Sequence, residues 1–207
     1  MKKIFTVIVL LLGSINLAYG QETFVNKQYG FSMQEPKGWI STNKAYLTEN
    51  LEKFELTDVS LAKLLKDNNG SIVLAAFYKY ELKTTAGLIP TIQIRVRTKT
   101  STQYQEFKSA IVQSLEKAKH LLEEYEIVDV PKEINISGIK SVFIVSKFKM
   151  KGLNGQILKV RSRTYAIPFR NYFFQVNFTD GQVGEDCTAE FDKLVKTITI
   201  GRETGKS

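Results

Sequence analysis

The sequence predicts an α+β domain in which helices pack on a largely antiparallel β-sheet. Strand patterns outnumber helix patterns along the chain, and most neighbouring strand patterns are joined by short turns rich in Gly, Asn or Pro. A single long amphipathic helix pattern occupies the middle of the chain. Because short turns join antiparallel neighbours whereas parallel strands need long crossovers, a doubly wound parallel sheet is disfavoured.

Residues 1–20 have the three parts of a cleaved secretory signal. Two lysines precede an apolar run over 4–12, and Ala18-Tyr19-Gly20 forms the small-residue exit that signal peptidase requires. The apolar run is too short for the roughly 20 residues that span a bilayer. No cysteine lies at the predicted cleavage site to accept a lipid. We therefore expect a bacterial protein that is periplasmic or secreted, with no transmembrane anchor after cleavage.

The remaining chain has the size and charge of one basic domain. About 187 residues follow the signal, which is enough for a single domain over 21–200 and a frayed tail over 201–207. The net charge of +8 falls by the two signal lysines but stays positive, which favours an anionic partner. An exported chain without a nucleic-acid-binding motif is not expected to bind DNA or RNA. The only cysteine, Cys187, cannot form an intramolecular disulfide and is expected to be buried.

The first half of the domain contains strand and short helix patterns. Alternating apolar and polar residues over 31–35 predict a strand, which the Pro36-Lys37-Gly38 turn ends directly before Trp39. Two helices and then two strands are predicted next, over 43–54, 58–68, 71–80 and 92–97. The last of these strands alternates like one with a single buried face.

The longest helix is predicted from Thr102 to Tyr125. Thr102 and Gln105 have the spacing of a capping box, and apolar residues recur every three or four positions as far as Tyr125. Short extended pieces around Pro131 are predicted over 126–136.

A long β-hairpin is predicted in the second half of the domain. Its strands cover 141–150 and 157–167 and are joined through Gly152-Leu153-Asn154-Gly155. A further strand over 172–178 is followed by Asp180-Gly181, which is interpreted as a turn. The last helix is predicted over 185–196, before the tail.

Three parts of the chain carry a family resemblance. They are Phe31-x-Met33-x-x-Pro36-x-Gly38-Trp39, the long central helix, and the aromatic strand 172–178 followed by a helix with Phe191-x-x-Leu194-Val195 and a short last strand. Together they resemble the PsbP/Mog1-like group over most of the mature chain. The resemblance implies an α/β/α sandwich with a central, largely antiparallel sheet.

Members of the PsbP/Mog1-like group include an accessory subunit of photosystem II, a Ran-binding protein and exported bacterial proteins of undefined role. The resemblance therefore implies a non-enzymatic binding or assembly module. It transfers no functional residues, because none of the group's partner-binding motifs can be matched to positions in this chain.

No catalytic, cofactor or metal site is predicted. His120 is the only histidine, which excludes a multi-histidine metal site, and it is expected to be exposed at the flank of the central helix. A dyad of Cys187 and His120 would need an exposed thiol, whereas Cys187 lies on an apolar stripe. The acids lack calcium-loop spacing, and the glycines form no phosphate-binding loop. We therefore expect a protein without enzymatic activity or cofactor.

Basic residues that alternate along three predicted strands are the candidate binding residues. They are Arg95, Arg97, Lys147, Lys149, Lys159, Arg161 and Arg163, with Lys99 and Lys151 continuing two of the runs. If 153–155 forms a three-residue loop with Gly155 at positive φ, Lys149 faces Lys159 and Lys147 faces Arg161. A two-residue loop would shift the register by one and place these lysines beside Leu158 and Val160. The sequence leaves both registers open.

The three-residue loop would place like charges opposite each other, at a cost in stability. An anionic partner, either an envelope protein or an anionic ligand, would offset that cost, so we expect an exported binding or assembly module that uses a basic sheet surface. The other interpretation is a solvated surface on which lysines prevent edge-to-edge aggregation. A second functional hypothesis is a carrier of an anionic or amphipathic small molecule, which requires an apolar pocket between the sheet and the helix over 102–125.

Overall fold

The computed structural model describes residues 22–42, 70–81, 84–85, 87–152 and 155–201. The strands in these ranges are β1 Thr23–Asn26, β2 Phe31–Gln34, β3 Ile40–Thr42, β4 Ser71–Tyr78, β5 Thr91–Thr98, β6 Glu123–Ile127, β7 Lys132–Ile136, β8 Ile139–Lys151, β9 Ile157–Phe169, β10 Tyr172–Gly181 and β11 Thr199–Ile200. The helices are α1 Tyr104–Glu116, extended by a 3₁₀ turn over Lys117–His120, and α2 Thr188–Val195. The signal predicted over 1–20, the helices predicted over 43–54 and 58–68, and the tail beyond residue 201 lie outside the described residues.

All strand pairings in the described part of the chain are antiparallel. The larger sheet has the order β3-β4-β5-β10-β9-β8-β6, and β7 also pairs with β8. A smaller sheet has the order β1-β2-β11. The predicted α+β class with a largely antiparallel sheet is confirmed.

The two faces of the larger sheet bury different elements, because successive side chains of a strand point to opposite faces. On the first face, Phe107 and Ile111 of α1 pack against a patch formed by Val142, Ile144, Ala166 and Phe173. On the second face, α2 and the smaller sheet bury aromatic and aliphatic residues that include Phe31, Phe174, Phe178, Phe191 and Leu194. We call these the α1 face and the α2 face. Helices on both faces make the domain an α/β/α sandwich.

The motif around Trp39 joins the first strands to the last helix. The predicted strand is β2, and the predicted turn has Gly38 at a φ of 77°. The Trp39 ring lies 6.1 Å from the Phe191 ring, and its Nε1 donates a hydrogen bond to Glu190 at 2.8 Å. The turn over Pro36-Lys37-Gly38 therefore places Trp39 against α2, and the motif acts as a packing device.

The central helix is shorter than its apolar pattern predicts. α1 ends at Glu116, and Tyr125 lies in β6, where it is buried and stacks on Phe148. The helical spacing of the apolar residues extended the predicted helix too far. Tyr125 and Ile127 also alternate with exposed acids, as the residues of a strand do. The capping box is also wrong, since Gln103 is the N-cap residue and makes no side-chain cap hydrogen bond.

The turn predicted at Asp180-Gly181 is wrong, because β10 continues through both residues and the chain turns only over 182–184. Asp180 is fully buried in this strand. α2 begins at Thr188, three residues later than predicted, with Cys187 as its N-cap residue. Asp-Gly favours a turn, but here the buried contacts of the Asp180 carboxylate keep both residues in the strand. These contacts are described below.

Candidate functional site

The hairpin of β8 and β9 has the register predicted for the three-residue loop. Lys149 lies opposite Lys159, and Lys147 lies opposite Arg161. Gly155 has a φ of 78°, a conformation that favours glycine, and its N–H donates to the carbonyl of Gly152 at 2.9 Å. The two-residue alternative is therefore excluded, and like charges do face each other across the hairpin.

Arg161 and Arg163 bind an internal carboxylate. Asp180 Oδ1 accepts hydrogen bonds from Arg161 Nε and Arg163 Nη1, each at 2.9 Å. Asp180 Oδ2 accepts a second bond from Arg161, also at 2.9 Å. Arg163 is only 4% exposed, so the prediction that it lies on a binding surface is wrong. Both guanidinium groups neutralise a buried acid that the sequence analysis placed in a turn.

The network continues to the start of α2. Asp180 Oδ2 also accepts the backbone N–H of Cys187 at 3.0 Å. Asp186 lies 3.0 Å from Arg161 Nη2 and accepts the backbone N–H of Thr188 at 2.8 Å. Hydrogen bonds from Thr188 and the charge of Arg161 lower the pKa of Asp186 to about 2, while hydrogen bonding to Asp180 raises the pKa of Arg161. These ion pairs attach the entry of α2 to the α2 face of the sheet.

Four lysines at the end of the hairpin form what we call the lysine row: Lys147, Lys149 and Lys151 on β8, and Lys159 on β9. All four are on the α2 face, because the alternation of β8 and its pairing with β9 give them one orientation. Lys149 forms an ion pair with Glu124. No carboxylate among the described residues lies within ion-pair distance of the other three lysines.

Arg95 and Arg97 lie on the opposite face of the sheet from the lysine row. They pair in register with Gln175 and Phe173 of β10, residues of the α1 face. Arg95 Nε donates to Gln93 Oε1 and Arg97 Nη1 donates to Gln175 Oε1, each at 2.9 Å. Burial and the neighbouring Arg95 charge lower the pKa of Arg97. The seven predicted binding residues therefore occupy three environments, and only the lysines share one open surface.

A groove adjoins the lysine row at the end of the sheet. It has a volume of about 390 Å³ and is lined by Leu88, Pro90, Ile157, Leu158 and Val183, with Lys159 and Glu185 among its polar residues. We call it the end groove. A second depression of about 230 Å³ lies over Lys147, Lys149, Lys159 and the acids Glu124 and Glu126 of β6. Lys159 lines both depressions, so the end groove adjoins the lysine row at this residue.

Cys187 is buried, as predicted, and is 2% exposed. Lys79 Nζ lies 3.6 Å from its sulfur and also contacts Glu185 at 2.6 Å and Glu190 at 3.3 Å. Burial raises the pKa of the Cys187 thiol, and the Lys79 ammonium offsets part of that shift. The thiol is therefore protonated at neutral pH and contributes to packing.

We expect the Cys187 thiol to react with iodoacetamide at least about a hundredfold more slowly in the native protein than in guanidinium, because both access and thiolate formation are suppressed by burial. Mass spectrometry of labelling over time measures both rates on the same sample. Similar native and unfolded rates would contradict the burial of this side chain.

The hypothesis of a carrier pocket between the sheet and the central helix does not fit the structure at that position. Phe107 is buried and its ring lies 5.4 Å from the Phe173 ring, while Ile111 fills the next turn of α1. These side chains occupy the space that a ligand would need. His120 is exposed at the end of the 3₁₀ turn, as predicted, and the sheet separates α1 from Cys187, so the two residues form no dyad.

The described ranges contain no cluster of three or more His, Cys, Asp or Glu side chains arranged to hold a metal ion. Within the same ranges, neither helix combines the length and the apolar character needed to cross a bilayer.

Comparison with known proteins gives a fold but no sequence family. A scan against protein-family models finds no match, and a search of curated proteins also finds none. Among solved structures, PsbP from the cyanobacterium Synechocystis sp. PCC 6803 aligns with a TM-score of 0.52 at 10% identity, covering 92% of this chain and 99% of that protein. This chain therefore has a PsbP-like fold, which confirms the resemblance in the sequence.

Two other solved structures are similar at lower TM-scores. A protein from Bacteroides thetaiotaomicron has a TM-score of 0.48 and 16% identity over 90% of this chain, which spans 51% of that protein's length. LpqN of Mycobacterium tuberculosis, which is involved in cell envelope biogenesis, has a TM-score of 0.40 and 14% identity, covering 64% of this chain and 79% of LpqN.

Proposed function

We propose that this protein is an exported, non-enzymatic binding or assembly module whose partner contacts the lysine row. The signal-like residues 1–20 support export to the periplasm or beyond. The PsbP-like fold is compatible with a binding role, although a shared fold does not assign one.

The single observation that carries the proposal is the contrast between the arginines and the lysines of the hairpin. Arg161 and Arg163 have a dedicated buried acid in Asp180. Lys147 and Lys159 lie opposite Arg161 and Lys149, respectively, and form no ion pair with the described residues. Arg161 and Lys149 have acidic partners within the fold, whereas Lys147 and Lys159 form no ion pair among the described residues, so an anionic surface would match these two lysines.

The proposal predicts that reversing the lysine row abolishes capture of a native partner. The full-length tagged chain is expressed in its own cells with a photo-crosslinking residue at Ile157, which is exposed and lies opposite Lys151 on the same face as the lysine row. This crosslinker does not depend on lysine chemistry. We expect the crosslinked partner band to fall at least about tenfold in the K147E/K151E/K159E variant, because several charge contacts are reversed together.

A matched control reverses three exposed lysines elsewhere, in the variant K27E/K37E/K196E, which changes the net charge by the same amount. This variant is expected to retain the crosslink. Fluorescence of Trp39, the only tryptophan, verifies that each variant is folded. Equal crosslinking by both variants would contradict the proposal and favour the interpretation of the lysines as a solvated surface.

A further inference from the structure

The end groove presents exposed apolar side chains next to the positive charges of the lysine row. Such a surface is suited to a polypeptide segment that has both apolar and acidic residues. Val183 is 72% exposed and Ile157 is 47% exposed, although both line a concavity with the half-buried Leu88 and Leu158. Isolated exposed apolar residues are ordinary on protein surfaces, but several that share one groove indicate an interaction site.

The charge next to the end groove is positive. Glu185 is the acid in its lining, and this carboxylate is already held by Lys79 at 2.6 Å and by the Tyr80 hydroxyl at 2.7 Å. Lys159 is exposed and forms no ion pair with the described residues. The acids that border the lysine row lie on β6, on the far side of β8 from the groove. A ligand that leaves the groove therefore meets Lys159 first and then the lysines of β8.

The spacing of the lysine row matches an extended polypeptide. Lys147, Lys149 and Lys151 are separated by two residues along one strand, and alternate residues of a strand are about 6.6 Å apart. Acidic side chains at alternate positions of an extended segment have the same repeat. A membrane surface, by contrast, is contacted by projecting apolar side chains, whereas those of the end groove line a depression.

We propose that the end groove and the lysine row bind an extended acidic protein segment, with one bulky apolar side chain of the segment in the groove and its acidic side chains on the lysines. This inference rests on the proposed function and specifies its partner. Apolar anchors in such a pocket provide affinity, and the charges provide orientation and association rate.

The test measures fluorescence anisotropy of labelled ten-residue peptides titrated with the protein purified after expression of the full chain. The first peptide carries one Leu and has Asp at alternate positions. In the second, Ser replaces the Leu, and in the third, Asn replaces each Asp. We expect the first peptide to bind and the other two to bind at least about tenfold more weakly. Binding of the first is expected to weaken as salt is added, because exposed charges are screened.

Variants of the protein locate the site. Val183→Asp changes an exposed groove residue, and we expect it to weaken binding of the first peptide about tenfold. Val130→Asp is the control, because Val130 is 83% exposed on the loop between β6 and β7, away from the groove. If V183D and V130D bind equally, or if all three peptides bind equally, the inference is overturned.

Vesicles of anionic phospholipid are titrated in parallel. If the protein binds vesicles in a Val183-dependent manner and does not bind the first peptide, the surface recognises lipid and the peptide inference is wrong. Failure of the inference differs from failure of the proposed function: in the first case the native crosslink still depends on the lysine row, and in the second it does not.

Discussion

Replacing Asp180 with Ala is expected to destabilise the protein by about 3–5 kcal/mol, because it breaks a buried ion pair. Among the described residues, the substitution leaves the buried Arg163 with only the exposed Asp186, 3.8 Å away, as a carboxylate partner. It also removes both bonds to Arg161 and leaves the backbone N–H of Cys187 without its acceptor. Guanidinium unfolding followed by Trp39 fluorescence measures the change, since Trp39 packs on α2 through Phe191.

Two further variants test the cause of this loss. Asp186→Ala removes an exposed partner of Arg161 and is expected to cost no more than about 1 kcal/mol. Adding Arg163→Met to D180A removes the stranded charge, so the double variant is expected to regain part of the lost stability. A D180A variant that unfolds within about 1 kcal/mol of the wild type would show that Asp180 does not hold the two arginines.

Phe191→Ala is expected to cost about 3–5 kcal/mol, because it opens a cavity at the centre of the α2 face. Phe191 is fully buried, and its ring lies 4.9 Å from Phe178 and 6.1 Å from Trp39. The Arg163 guanidinium lies 5.4 Å from the centre of the same ring. The same unfolding experiment applies, with an unchanged denaturant dependence if the variant keeps the native compactness.

The control for Phe191→Ala is Val195→Ala on the same helix, which removes a smaller and only half-buried side chain. It is expected to cost less than half as much. Because Phe191 and Asp180 both contact Arg163, the D180A/F191A double variant is expected to lose less stability than the sum of the two single variants. Equal losses in F191A and V195A would contradict the central position of Phe191.

The register of the hairpin could be derived from the sequence because its determinants are local. Gly155 permits the positive φ of a three-residue loop, and the pairing of Lys149 with Lys159 follows once the loop length is known. The fold class was predictable for the same reason, since alternation along each strand and short turns between strands depend only on chain neighbours.

The secondary-structure predictions are wrong where a local sequence pattern is compatible with two structures. Leu122 and Tyr125 continue the period of α1, but Tyr125 also alternates with its neighbours as a strand residue, and its packing on Phe148 decides for β6. Asp180-Gly181 has the composition of a turn, but burial of the carboxylate against two arginines keeps both residues in β10. Competition of this kind between local preference and tertiary contact is the usual source of such differences.

The candidate site shows what each level of description decides. The sequence by itself determined that basic residues alternate along three strands, that the domain is an antiparallel α+β fold, and that Cys187 is buried. Only the tertiary structure decided that Arg95 and Arg97 lie on the α1 face and that Arg163 forms an ion pair with Asp180. It also decided that Lys159 is exposed beside an apolar groove. The physical reason is the distance in sequence between the interacting residues. The orientation of alternate side chains follows from adjacent residues, whereas the neutralisation of a charge depends on an acid that the fold brings from elsewhere in the chain.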